Sequence, residues 1–363
     1  MIESRFGEST PWSLGVEEEL MLVDAETFEL VPAVSEILRR ADGLALPGEL
    51  KTELFACVVE LATDVSPTAD EALRKVTALR RAASTVAAGL GVGLLAAGAH
   101  PLARPEEQEI VPEPRYREMV EYAGLTARRQ GVNGLHVHVG MPSAAACMHA
   151  LEGVLPWLPV VLALSANSPF LAGAETGFAS NRAIVLAELP RSGAPPHFPS
   201  YADWERHVER LAALGLPRDY TALWWDVRPH PRLGTLEIRI ADQPTALELT
   251  GALVSLLQAL CVAVLEQPPP DLIPGARGIY QQNRWAAARF GLRAELIDVR
   301  AERRAPASEL ARELLELVAP VSERLGSAAL LRLDPDRSEA ERQLEAGVEE
   351  ASRDLVRRSL ASV

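Results

Sequence analysis

Four short segments carry acidic, histidine or arginine side chains at spacings that could do chemistry. The first is GVEEEL, residues 15–20. If this run is a strand, Glu17 and Glu19 share one face and Glu18 points to the other. Two carboxylates about 4 Å apart repel by roughly 4 kcal/mol at an effective dielectric of 20, so a buried pair needs a bound cation or a shared proton. Such strands more often lie at a solvated edge, but the apolar neighbours favour burial here.

The second segment, TELFACVVEL at residues 52–61, places Glu53 and Glu60 in an otherwise apolar run. Seven residues apart, the two side chains would face opposite ways on one regular strand. They can act together only if the chain bends or bulges between them. The alternative is that each carboxylate points to solvent, and the segment alone leaves both possibilities open.

The third segment, GLHVHVG at residues 134–140, puts His136 and His138 opposite the apolar side of a predicted strand. This spacing suits metal ligation, and it also begins the zinc site of barrel-fold hydrolases, so it supports two classes of enzyme. The structural alternative is a pair of half-buried histidines hydrogen-bonded to neighbouring strands. His100, in GAHP, is predicted to be a turn residue rather than a ligand.

The fourth segment, LEIRIAD at residues 236–242, places Glu237 and Arg239 on one face. One such couple is by default a structural ion pair. The same couple also suits a metal–nucleotide site, where Glu holds a divalent cation and Arg neutralises a transferring phosphoryl group. The sequence has no G-x-x-x-x-G-K-[ST], no strand followed by G-x-G-x-x-G and no G-x-S-x-G. ATP would therefore have to be held through metals and a sheet surface.

Period-two alternation predicts the strands that would position these groups, at residues 13–23, 135–139 and 235–241. Residues 224–228 form a further predicted strand, joined to 235–241 by the turn PHPRLG. Because strands joined by a tight turn are antiparallel, the sequence predicts an α+β fold rather than a parallel doubly wound sheet.

Three helix starts are predicted from capping signals. Ser66-Pro67 begins an amphipathic helix that runs to residue 90. Thr245 and Glu248 form a predicted capping box for a largely apolar, buried helix through residue 265. Ser338 and Glu341 form another, for a charged and exposed helix.

Composition narrows the class of protein. The 363 residues, 48% hydrophobic and without a visible repeat, predict one globular domain, 1–363. The net charge of −14 argues against nucleic acid or acidic lipid as a partner. The chain has three scattered cysteines, and it starts with charged residues and no signal peptide. Both features predict that the protein is located in the cytoplasm. The most apolar stretch, residues 154–174, is interrupted by prolines and predicts a buried helix ending in a turn rather than a membrane span.

Three Pro-rich or charged stretches are predicted to be loops from which a lid could come: residues 104–115, 190–200 and 267–278. The apolar helices make a homodimer plausible.

In order along the chain, the blocks GVEEEL, TELFACVVELATDV, GLHVHVG, LSANSPF, WWDVRPHPRLGTLEIRIAD and QNRWAAARFGL resemble the carboxylate–amine ligases of the glutamate–cysteine ligase type 2 family. The resemblance covers about residues 12–292, and residues 293–363 agree only in helical character. It implies a glutamine-synthetase-like catalytic fold, a curved and mainly antiparallel sheet backed by helices. It also implies ATP, Mg²⁺ or Mn²⁺, small-molecule substrates and an acyl-phosphate intermediate.

The resemblance also implies a role for each chemical residue. Glu19, Glu53 and Glu60 would hold one metal ion, and Glu17, His136 and Glu237 the other. Arg239 would contact the transferring γ-phosphate, Arg182 would bind the substrate, and His138 would line the pocket. Asn133 and Asn181 depart from the common family residues, which leaves the preferred amine open. Five carboxylates and one imidazole suit Mg²⁺ or Mn²⁺ better than zinc.

The preferred hypothesis is an ATP-dependent ligase that forms an amide, with glutamate and cysteine as the nominal pair. One alternative is a metal-dependent hydrolase that uses His136 and His138 with zinc and no nucleotide. The other is a relative that binds ligand without catalysis.

Overall fold

The computed structural model of the chain describes residues 2–216, 219–270 and 273–361. Within those residues, seven strands form one sheet, and two short hairpins lie apart from it. The strands are β1 (Leu14–Asp24), β2 (Gly48–Thr52), β3 (Val58–Thr63), β4 (Val92–Leu95), β5 (Leu135–Gly140), β6 (Phe170–Leu171), β7 (Ala174–Glu175), β8 (Val227–His230), β9 (Thr235–Ile238), β10 (Glu295–Asp298) and β11 (Arg303–Pro306).

Helices cover the sheet and fill the second half of the chain. They are α1 (Val34–Ala41), α2 (Ala69–Ala88), α3 (Pro114–Ala123), α4 (Leu125–Arg128), α5 (Ala144–Val154), α6 (Leu158–Ser165), α7 (Asn181–Leu186), α8 (Tyr201–Ala213), α9 (Leu247–Leu265), α10 (Ala276–Phe290), α11 (Ala307–Arg324), α12 (Glu339–Ala346) and α13 (Val348–Ala361).

The large sheet has the order β2-β3-β1-β5-β9-β8, and β4 also pairs with β1. Each described pairing in it is antiparallel. The predicted α+β class is confirmed, and so is the hairpin of β8 and β9. The strand β1 is long enough to pair with β3, β4 and β5 at once, and it therefore sits at the centre of the sheet.

One face of the sheet packs on helices. Apolar side chains that alternate along β1, β5 and β9, among them Val16, Val137 and Ile238, are at most 1% exposed and belong to the main core with α9. Alternation places Glu18 on this face too, where its carboxylate is fully buried and accepts hydrogen bonds from Arg80 of α2. The polar face of the sheet is therefore left free for a site.

Two of the three predicted helix starts are wrong. The helix α2 is capped by the Thr68 hydroxyl, because the backbone of Ser66 pairs with Leu14 and holds that residue in the sheet. The helix α9 begins without a side-chain cap, because the Thr245 hydroxyl donates to the carbonyl of Ala96 instead. The capping box of Ser338 at α12 is confirmed.

Two helical stretches, Ala144–Ser165 and Leu247–Leu265, are long and apolar enough to cross a membrane by length and composition alone. Their most apolar windows are 78% and 89% buried inside the protein, as expected for core helices. The stretch predicted to be a buried helix ending in a turn does end its helix at Ser165.

The C-terminal helices pack onto the same body. The helix α11 lies against α9, and α13 lies against β4 of the large sheet. Leu355 is fully buried in the core cluster beside β1 and β4. The loops predicted at 104–115 and 190–200 are mostly irregular. The third, predicted at 267–278, is wrong at its end, because α10 begins at Ala276; its residues 271–272 lie outside the described residues.

Candidate active site

The register of the large sheet collects polar side chains on one face. The cross-strand partners are Glu19 with Glu60, Glu17 with His136, His138 with Glu237, and Glu237 with Arg228. Because directly opposite residues have their side chains on the same face, positions from 17 to 237 converge there. Glu19 opposite Glu60 is a like-charge pair, which is unfavourable unless a cation or a proton intervenes.

Glu53 reaches the same place from a turn. The strand β2 ends at Thr52 and β3 begins at Val58, so the chain bends between Glu53 and Glu60 as joint action requires. The Tyr116 hydroxyl of α3 donates to Glu53 at 3.4 Å and to the Thr52 carbonyl at 3.0 Å.

A cavity of about 1450 Å³ opens over this face. Five of the six proposed metal ligands line it, namely Glu17, Glu19, Glu53, Glu60 and His136. Arg228 and Arg239 line it as well. A recess of about 650 Å³ shares Glu19, Glu53, His136 and Arg239 with it and extends to Arg182 and Asp226.

The acids of the cavity crowd one another. Burial, with Glu53 nearby, raises the pKa of Glu19 to about 7. Burial and the charge of Glu17 raise the pKa of Glu60 well above its usual range, and burial raises the pKa of Glu53. Lys51 lies 3.4 Å from Glu60, at the edge of the group. Carboxylates forced together in this way hold protons until a cation neutralises them.

Glu17 stays charged for a different reason. Burial opposes its ionisation, but a hydrogen bond from His136 and the nearby imidazole of His138, whose Nε2 lies 3.7 Å from Glu17 Oε1, hold its pKa well below the usual range. His136 Nδ1 lies 3.1 Å from Glu17 Oε2, and Arg239 Nη1 is 3.3 Å from the same nitrogen. Burial and Arg239 lower the pKa of His136 to about 4, so its imidazole is neutral and able to bind a metal ion.

Glu237 is held by two arginines. Arg228 Nε donates to Glu237 Oε2 at 2.5 Å, Arg228 Nη2 donates to Oε1 at 3.2 Å, and Arg239 Nη1 donates to Oε1 as well. Although burial opposes ionisation of Glu237, these guanidinium groups keep its pKa well below the usual range. Its side chain is 2% exposed and lies behind the arginines that face the cavity.

His138 lies beside Glu237, with its Nε2 3.9 Å from Glu237 Oε1. One ligand atom each from Glu17, His138 and Glu237 lie within 4.8 Å of one another, a grouping able to hold a metal ion. His138 Nδ1 is 3.0 Å from the Thr235 hydroxyl, and its buried Nε2 has no hydrogen-bond partner among the described residues. His136, by contrast, faces the open cavity. Either His136 or His138 could therefore supply the imidazole ligand of the metal site that includes Glu17.

Arg182 lies at the inner end of the recess. Its Nη1 donates to the Ile240 carbonyl and its Nη2 to the Arg239 carbonyl, each at 3.1 Å, which fixes the guanidinium beside the cavity. A Cβ at Gly134 would lie 2.1 Å from Arg182 Nη2, so a larger residue there would displace this guanidinium. The Gly134 amide donates to Glu19 Oε2 at 2.6 Å.

Sequence reasoning missed Arg228. The tight turn of the hairpin, a short 3-10 turn at Pro231–Leu233, pairs His230 with Thr235 and so places Arg228 opposite Glu237. Counting residues back along both strands from the predicted turn would have paired Arg228 with Glu237. His100 is a turn residue as predicted: its Nδ1 accepts from the amides of Leu102 and Ala103.

The residues fit hard divalent cations. Glu19 lies opposite Glu60 in the sheet, and Glu17 and Glu237 lie beside His138 Nε2, which is unpartnered among the described residues. This oxygen-rich set, with imidazole nitrogen nearby, has the donor chemistry of Mg²⁺ or Mn²⁺.

Comparison with known sequences gives the family. The model of "Glutamate-cysteine ligase family 2 (GCS2)" matches residues 13–359, so the C-terminal helices are included. A relative from Rubrobacter xylanophilus named "Putative glutamate--cysteine ligase 2-3" is 43% identical over 330 residues, 91% of this chain and 90% of the relative. A relative from Herpetosiphon aurantiacus, named "Putative glutamate--cysteine ligase 2", is 37% identical over 321 residues, which are 88% of this chain and 83% of the relative.

Solved structures share the fold. Glutamate–cysteine ligase from Francisella tularensis, in complex with AMP, superposes with a TM-score of 0.66 over 97% of this chain and 89% of that one, at 13% identity. A bifunctional glutathione synthetase from Pasteurella multocida gives a TM-score of 0.65 over 96% of this chain and 52% of that one, at 15% identity. The expected fold is thereby confirmed. The chain belongs to glutamate–cysteine ligase family 2, and it is an ATP-dependent carboxylate–amine ligase.

Proposed function

We propose that this ligase joins glutamate to cysteine and holds ATP in the large cavity through two divalent cations, Mg²⁺ or Mn²⁺. The observation that supports this best is the convergence of Glu17, Glu19, Glu53, Glu60 and His136 on one cavity that Arg239 also lines. Clustered carboxylates beside an arginine are suited to binding metal-bound phosphates.

We assign one cation to Glu19, Glu53 and Glu60, and the other to Glu17, His136 and Glu237. His136 is assigned rather than His138 because His136 lines the cavity that an incoming metal–nucleotide would enter. His138, fixed by Thr235, would position Glu17 from behind. When bound, the cations supply charge neutralisation for the phosphate oxygens.

The chain's own residues account for the remaining steps. A substrate carboxylate oxygen attacks the γ-phosphorus of ATP, the bond to the β–γ bridging oxygen breaks, and ADP leaves. Arg239 lies at the cavity wall and neutralises charge on the transferring group. The amine then attacks the acyl phosphate, phosphate leaves with the former carboxylate oxygen, and the amine nitrogen loses a proton as the amide forms.

Arg182 would bind the substrate carboxylate in the recess beside Arg239. The loop 190–200 borders the cavity through Arg191, whose guanidinium stacks on the rings of Tyr122 and Trp224. Its closure would exclude water from the acyl phosphate. The whole chain is proposed to act as one catalytic domain in the cytoplasm, and the homodimer stays a prediction that light scattering would test.

The hydrolase alternative is not supported, because the two histidines lie among carboxylates on the polar face of a ligase fold. The deciding experiment measures ADP release with panels of amino acids. Release that depends on both glutamate and cysteine, with γ-glutamylcysteine found by mass spectrometry, supports the proposal. Glutamate labelled with ¹⁸O in its γ-carboxylate should transfer one ¹⁸O to phosphate. Nucleotide-independent hydrolysis, or no turnover with any pair, would contradict the proposal.

A further inference from the structure

One face of α10 holds the loop 190–200, which borders the catalytic cavity. This face consists of Arg277, Tyr280, Gln281 and Arg284. Their spacing of three and four residues places the side chains next to one another on a helix. The helix itself packs against α6 in the main core, so the face is a firm support for whatever it contacts.

Arg277 binds the loop directly. Its Nε donates to the Pro195 carbonyl at 2.8 Å, and its Nη2 donates to the Glu152 carboxylate of α5 at 2.7 Å. The same carboxylate lies 3.0 Å from His197 Nδ1. The helices α5 and α10 therefore hold the loop together, at Pro195 and at His197.

The backbone of the loop also lies against α10 at Gly193. This residue has a φ of 78°, in the left-handed region that favours glycine. A Cβ there would lie 2.6 Å from Gln281 Nε2, so glycine permits the close approach of loop and helix. The Gly193 carbonyl accepts a hydrogen bond from the Asp226 amide at 2.8 Å, which fixes the loop at a third position.

Asp226 connects this loop to the arginine proposed to contact the γ-phosphate. Its buried carboxylate accepts from the Tyr280 hydroxyl at 2.7 Å, and from Arg284 Nε at 2.7 Å and Nη2 at 3.1 Å. Its backbone carbonyl accepts from the Arg239 amide at 2.9 Å. By holding one carboxylate, α10 therefore fixes the backbone of both the loop and Arg239.

The tethered positions directly follow the residues that face the site. Leu189 lines the recess and Arg191 lines the catalytic cavity, whereas Gly193 and Pro195 are held by Asp226 and α10. Tethers this close in sequence determine where the backbone of Arg191 lies. Because an acyl phosphate also reacts with water, the position of this loop decides how well water is excluded.

We propose that Arg277, Tyr280 and Arg284 are positioning residues that keep the loop 190–200 over the acyl phosphate and so couple ATP cleavage to amide formation. None of these three side chains, all within the described residues, lines the catalytic cavity or its recess. The inference rests on the proposed function, because it requires the acyl phosphate. When the loop is released, water adds to the acyl carbon and the bond from that carbon to the phosphate oxygen breaks. Glutamate and hydrogen phosphate leave, a proton is released, and ATP is consumed without amide.

The ratio of ADP released to amide formed, measured with glutamate and cysteine, tests the coupling. The wild type should release about one ADP per amide, and Arg277→Met and Tyr280→Phe should each release at least about twofold more, with Mn²⁺ affinity unchanged. A merely structural role would lower both products together and leave the ratio unchanged. Arg289→Met is the matched control, because Arg289 lies on the same helix but stacks on Phe178 and Phe290. A ratio near that of the wild type in Arg277→Met would overturn the proposal, and in Tyr280→Phe alone it would remove Tyr280 from the tether.

Hydrogen exchange of the substrate-free chain measures the tether without any turnover. The Asp226 amide is hydrogen-bonded to the Gly193 carbonyl, so its exchange rate reports whether the loop stays in place. Arg277→Met should accelerate exchange at Asp226 by at least about fivefold while the amides of α9 keep their wild-type rates, and Arg289→Met should not. Unchanged exchange in Arg277→Met would show that the loop does not depend on this residue. If the wild type forms no amide, the proposed function fails and the coupling fails with it, whereas the exchange rates still decide the tether.

Discussion

The carboxylate of Glu18 and the guanidinium of Arg80 form a fully buried two-point ion pair behind the active-site face of β1. Arg80 Nη1 also donates to the Thr245 carbonyl at 2.7 Å, and Glu18 accepts from the Thr250 hydroxyl at 2.7 Å. The pair thus joins β1 to α2 and α9 directly beneath Glu17 and Glu19.

Arg80→Met should lower the free energy of unfolding by about 3–5 kcal/mol, because it leaves the Glu18 carboxylate buried without its cation. Chemical denaturation measures the loss. The double variant Glu18→Gln with Arg80→Met should be less destabilised than the sum of its two single variants, since it removes the orphaned charge. Glu36→Gln, in an exposed pair with Arg39, is the control and should cause no measurable change. A similarly small effect of Arg80→Met would show that the buried pair does not stabilise the fold.

Glu17→Gln should reduce metal-dependent ATP turnover by more than about 100-fold, because even residues that only support a ligand typically cost 10- to 100-fold. Glu17 is a cleaner test than Glu237, whose loss would also unpair Arg228 and Arg239. The exposed Glu49 of β2 offers the matched control, since Glu49→Gln makes the same chemical change away from the cavity. Steady-state ADP release with unfolding checked by circular dichroism gives the comparison. Full activity of Glu17→Gln would remove this residue from the metal site.

Alternation alone placed Glu17 and Glu19 on one face of β1, whereas for Glu53 and Glu60 the segment showed only that joint action needs a bend, which the structure has between β2 and β3. These predictions depended only on residues that are close together in the sequence. The partner of Glu18 is 62 residues away, and nothing local to Glu18 points to Arg80. Dependence on distant residues also explains why the capping box predicted at Thr245 is wrong. The Thr245 hydroxyl donates instead to the carbonyl of Ala96, which is 149 residues away. The choice between His136 and His138 is equally non-local, since it depends on which imidazole faces the cavity.

Mn²⁺ should raise the thermal midpoint of unfolding, because a cation that binds only the folded chain stabilises it by about 2.7 kcal/mol at 100 times its Kd. His136→Asn should remove more of this stabilisation than His138→Asn, since His136 lines the cavity. Differential scanning fluorimetry with and without Mn²⁺ compares the two variants on one scale. His100→Asn is unsuitable as a control because it would disturb a turn, whereas the exposed His197→Asn serves, since neither His197 nor its partner Glu152 lines the catalytic cavity or its recess. The opposite ranking would assign the ligand to His138, which groups with Glu17 and Glu237.

Arg239→Lys should lower kcat by about 100-fold or more, because an ammonium cannot reproduce the planar two-pronged contact of a guanidinium with a transferring phosphoryl group. Lysine keeps the positive charge beside Glu237, so folding and metal affinity should change little. Arg228→Lys provides the informative comparison: Arg228 makes two hydrogen bonds to Glu237, so its loss should weaken Mn²⁺ binding as well as turnover. Stopped-assay kinetics together with Mn²⁺ titration separate the two effects. Unchanged kcat in Arg239→Lys would show that positive charge at this position is sufficient and that its planar geometry is not used.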